Sequence, residues 1–92
     1  MILHTTKVEY RGDYRLFLEF SNGESGEVDL TERLHGEMFA PLKDIALFAT
    51  AHHDPDIETV VWANGADLAP EYLLELLHEQ TQLISTSETV GR

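Results

Sequence analysis

Apolar and polar positions alternate over the first thirty residues, which is the period of a half-buried strand. Val8 and Tyr10 stand between polar neighbours, and Arg11-Gly12-Asp13 reads as a turn. Tyr14, Leu16, Leu18 and Phe20 then share one face, with Arg15, Phe17 and Glu19 on the other. Ser21-Asn22-Gly23-Glu24 is a hairpin signal, because Asn-Gly readily supplies the positive φ that a tight turn requires. Glu27, Val28, Asp29 and Leu30 complete an antiparallel three-strand meander.

The pattern becomes shorter-ranged in the middle of the chain. Thr31-Glu32-Arg33-Leu34 predicts one helical turn ended by Gly36, with Asp29 or Thr31 accepting its free amides. Met38-Phe39-Ala40-Pro41-Leu42 forms an apolar corner. Asp44 is placed to cap a short helix with Ile45, Phe48 and Ala49 on its buried side. A fourth strand fits Ala51 to Asp54, and Asp54-Pro55-Asp56 breaks it. The β-branched and aromatic run Thr59-Val60-Val61-Trp62 predicts a fifth.

Asn64-Gly65 turns the chain again, and Pro70 suits the first turn of a last helix, where its missing N–H costs nothing. Leu73, Leu76 and Leu77 form the apolar stripe of that helix; Glu71, Glu75, His78, Glu79 and Gln82 form the polar one, and Gln80 interrupts the apolar side. The expected fold is α+β: an antiparallel β-meander plus a second strand pair, with short central helices and a closing C-terminal helix. One domain over residues 1–84 is expected, followed by a flexible tail over 85–92 that lacks periodicity.

Composition changes this picture in two ways. Seventeen Asp and Glu oppose six Lys and Arg, a net charge of −11. Such a surface repels phosphate backbones, so no direct nucleic-acid partner is expected, and it steers toward basic proteins. The bland counterpart is that many proteins are acidic for solubility alone. The absence of cysteine excludes a disulfide framework and any thiolate metal site. With no basic-then-apolar N-terminal run and no stretch long enough to cross a bilayer, the expectation is a cytoplasmic protein without a membrane partner.

Asp13-Tyr14-Arg15-Leu16, Phe20-Ser21-Asn22-Gly23-Glu24, Phe39-Ala40-Pro41-Leu42-Lys43-Asp44 and Val61-Trp62-Ala63-Asn64-Gly65-Ala66-Asp67-Leu68-Ala69-Pro70 follow one another in an order that resembles the bacterial domain-of-unknown-function family 2442. The resemblance spans about residues 5 to 78, and W-x-N-G-x-D-L-x-P is its most specific element. Ile45 stands where many relatives carry proline, and Ala69 where a better capping residue is common. The resemblance implies a small α+β domain of unknown function. Some relatives continue into a helix-turn-helix domain, but the fourteen residues after His78 are too few for one, so DNA binding is not carried over. Relatives are often encoded beside another small protein in what looks like a toxin–antitoxin pair, which implies an antitoxin-like role toward a small basic partner.

Candidate chemistry is sparse. His52 and Asp54, two residues apart in an expected strand, share a face and are weak candidates for a metal site or a metal-dependent enzyme; His53 points the other way. A third ligand would have to come from His4, His35 or His78, and incidental histidines are the simpler reading. Chance carboxylate pairs are expected in so acidic a chain. With no Cys nucleophile, nucleophile elbow or glycine-rich phosphate loop, no catalytic residue and no cofactor are expected. Trp62, Asn64 and Asp67 have a structural reading (core, loop backbone, amides ahead of the last helix) and a functional one as a partner-binding loop. Glu71 and Glu75 read either as a solvated helix face or as a docking surface for a basic protein. The third reading is a homodimer through a strand edge or the Leu73 stripe.

Overall fold

The computed structural model describes residues 2–90, with side chains described as far as Thr81. The expected mobility of residues 85–92 falls on side chains outside the described residues. Strands β1 (Thr5–Tyr10), β2 (Arg15–Phe20) and β3 (Ser25–Asp29) form one antiparallel sheet in that order. A 3-10 turn at Thr31–Arg33, another at Ala40–Lys43 and the one-turn helix α1 (Ile45–Phe48) lead to a second antiparallel sheet of β4 (His52–Asp54), β5 (Thr59–Val61) and β6 (Asp67–Leu68). Helix α2 (Pro70–Val90) closes the fold. This is the expected α+β class, with one strand more than the second pair. β6 has two residues, too few to leave an alternation in the sequence.

Two hairpins are built on one local device. In Phe20-Ser21-Asn22-Gly23-Glu24 the Phe20 N–H donates to Glu24 O (2.9 Å) and the Gly23 N–H to Phe20 O (3.0 Å). In Trp62-Ala63-Asn64-Gly65-Ala66 the Trp62 N–H donates to Ala66 O (2.9 Å) and the Gly65 N–H to Trp62 O (2.9 Å). In each turn only the glycine has positive φ, +91° at Gly23 and +88° at Gly65. That is the three-residue loop closed by a glycine bulge, rather than the two-residue turn with positive φ at both central positions. In each, the asparagine Oδ1 accepts the amide two residues on, Glu24 N at 3.0 Å and Ala66 N at 3.1 Å.

The sheet face carrying Leu16, Leu18, Phe20 and Val28 is buried together with Leu30, Leu34, Leu42, Phe48, Val60, Trp62 and the Leu73, Leu76 and Leu77 stripe of α2. Phe48 joins the two halves: its ring lies 5.3 Å from that of Tyr14, edge-on, and 5.7 Å from that of Trp62. Asp44 caps α1 by accepting the Ala46 N–H at 3.0 Å. Because α1 is a single turn, Phe48 is its one fully buried residue, with Leu47 packed partly against the core; Ile45 is 44% exposed and Ala49 is exposed, against the expected buried side. Asp29 Oδ1 accepts the Thr31 N–H at 2.8 Å and thereby starts the turn at Thr31–Arg33.

The two sheets meet at β1. The Thr5 N–H donates to Glu58 O (3.1 Å), and the His53 ring nitrogen Nε2 lies 2.8 Å from Thr5 O. At the opposite edge, α2 lies against β3. Leu77 covers Gly26, where an added Cβ would come within 2.6 Å of Leu77 Cδ1. A Cβ there would therefore force the buried Leu77 side chain to shift.

Candidate functional site

The hallmark segment around Trp62 serves the core. Trp62 is 1% exposed, and its indole Nε1–H donates to Phe48 O at 3.1 Å. Phe39 meets its ring edge-on at 6.1 Å. Asn64 spends its amide internally, accepting Ala66 N–H and donating to Met38 O at 3.0 Å. The aromatic anchor expected at a partner loop is thus turned inward, because Trp62 continues β5 on its buried face. Asp67 is exposed on β6, and among the described residues its carboxylate accepts no amide ahead of α2. The helix start instead uses Pro70 and a Leu73 N–H to Ala69 O bond of 3.1 Å.

The β4 candidates are likewise engaged locally. The Nδ1 atom of His52 lies 2.9 Å from Thr50 O. Asp54 Oδ1 accepts the Asp56 N–H at 2.7 Å and shapes the turn into β5. Of the other histidines, His4 faces Glu58 at 3.6 Å and His78 faces Glu24 at 2.5 Å. Among the described residues no three side chains of metal-ligating type gather in one place.

Glu71 and Glu75 are the two candidates that the fold brings together. One helical turn apart on α2, they line an open hollow of about 490 Å³ with Leu3, Leu74, His78 and Glu79. Leu3 and Leu74 are half-buried and form its apolar floor. Glu79 pairs with Arg33 at 2.8 Å, whereas Glu71 and Glu75 have no cationic partner among the described residues. The two carboxylates of Glu71 and Glu75 beside an apolar floor favour a cationic side chain whose aliphatic stem can lie on leucine.

Along the inner border of α2 three polar pairs tie the helix to the β2–β3 turn, to the 3-10 turn at Thr31–Arg33 and to β3. His78 Nε2 meets Glu24 Oε1 at 2.5 Å, and Arg33 reaches Glu79. Gln80 donates from Nε2 to Asp29 O (2.8 Å) and accepts the Asp29 N–H on Oε1 (3.0 Å). The sequence marks Gln80 only as an interruption of the apolar stripe. A polar residue at a core-facing helical position beside a strand edge is the signal that could have identified it.

The hydrogen bond from His78 holds the Glu24 carboxyl below its ordinary value of 4.5, with a smaller contribution from Asn22. A depressed carboxyl stabilises the fold above its unfolded pKa, and that contribution is lost as pH falls through the lower folded value. His78→Ala should therefore raise the Glu24 carboxyl toward its ordinary value in an NMR titration. It should also flatten the acid limb of stability below about pH 4.5. An unmoved Glu24 titration would remove this contact as the cause.

No curated protein and no solved structure matches the chain. The family model described as "Protein of unknown function (DUF2442)" matches residues 5–79, from the start of β1 into the leucine stripe of α2. The segments that carried the resemblance in the sequence are those that build the two glycine-bulge hairpins, the aromatic core and the start of α2, and the chain belongs to the DUF2442 family.

Proposed function

We propose that the chain is a non-catalytic interaction module of the cytoplasm that captures a small basic protein. The observation that carries this is the α2 hollow, where Glu71 and Glu75, free of cationic partners among the described residues, flank a floor of Leu3 and Leu74. The net charge of −11 accelerates encounter with a cationic partner, and the apolar floor supplies affinity that charge alone does not. An antitoxin-like role toward a neighbouring gene product is the partner class that the family resemblance suggests.

The test is co-expression with the product of the adjacent gene, followed by affinity purification at low salt. The expected result is a complex that weakens as ionic strength rises, because these charges are exposed and screened. The double variant Glu71→Lys/Glu75→Lys should weaken it by about tenfold or more, since like charges across an interface cost several kcal/mol. Separate elution of the two proteins at low salt, or a complex indifferent to the double reversal, would count against this reading.

A further inference from the structure

In an antiparallel pair, alternate residues turn their N–H and C=O toward the neighbour and the rest turn them away. The bonds Leu30 N–H to Tyr14 O (2.8 Å) and Phe20 N–H to Glu24 O (2.9 Å) fix this alternation for β3. Val28 and Gly26, opposite Leu16 and Leu18, face β2; Ser25, Glu27 and Asp29 face outward. At Asp29 the outward groups are taken by Gln80, which both donates and accepts as a residue of a further strand would. At Ser25 and Glu27 they make no hydrogen bond among the described residues, and both residues are exposed.

Beside this open stretch, on the side toward α2, lies a hollow of about 300 Å³ lined by Glu24, Ser25, Leu77, His78 and Thr81. His78 borders both this hollow and the acidic one on α2, so the two form a continuous surface. An added strand would place residues opposite Ser25 and Glu27 on the outer face, where Glu27 lies, and the residues between them over the hollow and Leu77. Pairing with a second copy of β3 would set Glu27 and Asp29 against acids of the same kind, which is destabilising.

We infer that the open edge of β3 accepts an extended segment of a basic partner by strand addition, with alternating cationic and apolar residues, and that Gln80 holds the place of its last paired residue. The segment's cations lie on the outer face beside Glu27, whose carboxylate also pairs with Arg15 at 3.6 Å, and its apolar residues cover Leu77. This rests on the proposed basic partner and specifies how that partner docks. Backbone pairing supplies the affinity and alternate side chains the selectivity.

The probe is the terminally blocked peptide Lys-Val-Lys-Val-Lys-Val, titrated into the isotopically labelled chain and followed by amide shifts and hydrogen exchange. The expected result is saturable shifts and slowed exchange at Ser25 and Glu27. N-methylation of the lysine backbone nitrogens, which removes the donors facing β3, should weaken binding by about tenfold or more. Gln80→Ala, whose fold is checked by circular dichroism, should tighten binding by about fivefold and extend protection to Asp29. Unchanged affinity in that variant overturns the place-holding role. Shifts confined to Glu71, Leu74 and Glu75, with no penalty for N-methylation, overturn strand addition and leave the acidic-surface reading standing. Absence of shifts at either surface removes both.

Discussion

Trp62→Ala should lower the free energy of unfolding by about 3–5 kcal/mol, the cost of truncating a large aromatic side chain in a packed core. Two effects add. The indole is 1% exposed and packs on Phe48 and Phe39, so its removal leaves a cavity between the two sheets. Phe48 O also loses the indole donor at 3.1 Å but keeps the Ala51 N–H at 3.1 Å, so this second effect is the smaller, about 1 kcal/mol for one hydrogen bond. A domain of this size has about 5–15 kcal/mol in total, so the variant would sit near the edge of folding. Trp62→Phe keeps most of the packing and removes the donor, and its loss should be the smaller by about half. Urea denaturation followed by far-ultraviolet circular dichroism measures both. A loss under about 1 kcal/mol for the alanine variant would mean that the hallmark tryptophan does not hold the core.

Gly26→Val tests the other half of the molecule. Valine is favoured in strands, and glycine is not, so propensity alone predicts stabilisation. The approach of 2.6 Å to Leu77 Cδ1 decides otherwise, because a buried leucine would have to move. Overpacking of this kind typically costs about 1–3 kcal/mol. The displacement also carries α2 away from Asp29 and Glu24, so exchange of the Asp29 amide should accelerate as Gln80 withdraws. Pairing the substitution with Leu77→Ala should recover part of the loss, since residues in contact couple. An additive double variant would show that the crowding lies elsewhere.

These two results bear on the proposed partner surface. The acidic hollow and the open part of β3 both depend on how α2 lies along the first sheet. Gly26 sets that approach, and Gln80 with His78 fixes its register. A variant that lifts the helix should therefore disturb partner binding even where no carboxylate is altered.

The meander with its Asn22-Gly23 hairpin, the turn at Asn64-Gly65, the break at Pro55 and the leucine stripe were legible in the chain, because each rests on interactions within a few residues. Asp44 was legible as a cap for the same reason, and Asp29 as one of two acceptors for the amides that start the turn at Thr31–Arg33. Strand β6 was not, since a two-residue strand exists only through its neighbour. The burial of Ile45 was misjudged because amphipathic spacing assumes a helix longer than one turn. For the candidate site, the sequence identified Glu71 and Glu75 as one face but could not say that Leu3, from the opposite end of the chain, forms its floor. It offered Trp62 for two roles, and packing against Phe48 selected the core.

Local geometry, charge and periodicity are properties of neighbouring residues, so the sequence by itself determined the elements other than β6, the acidic composition and the family. Which strand edge stays open, which histidine meets which carboxylate, and why Gln80 interrupts the stripe depend on residues about fifty positions apart. The tertiary structure alone decided these, because no pattern in the chain records a contact that exists only once the sheet and helix have packed.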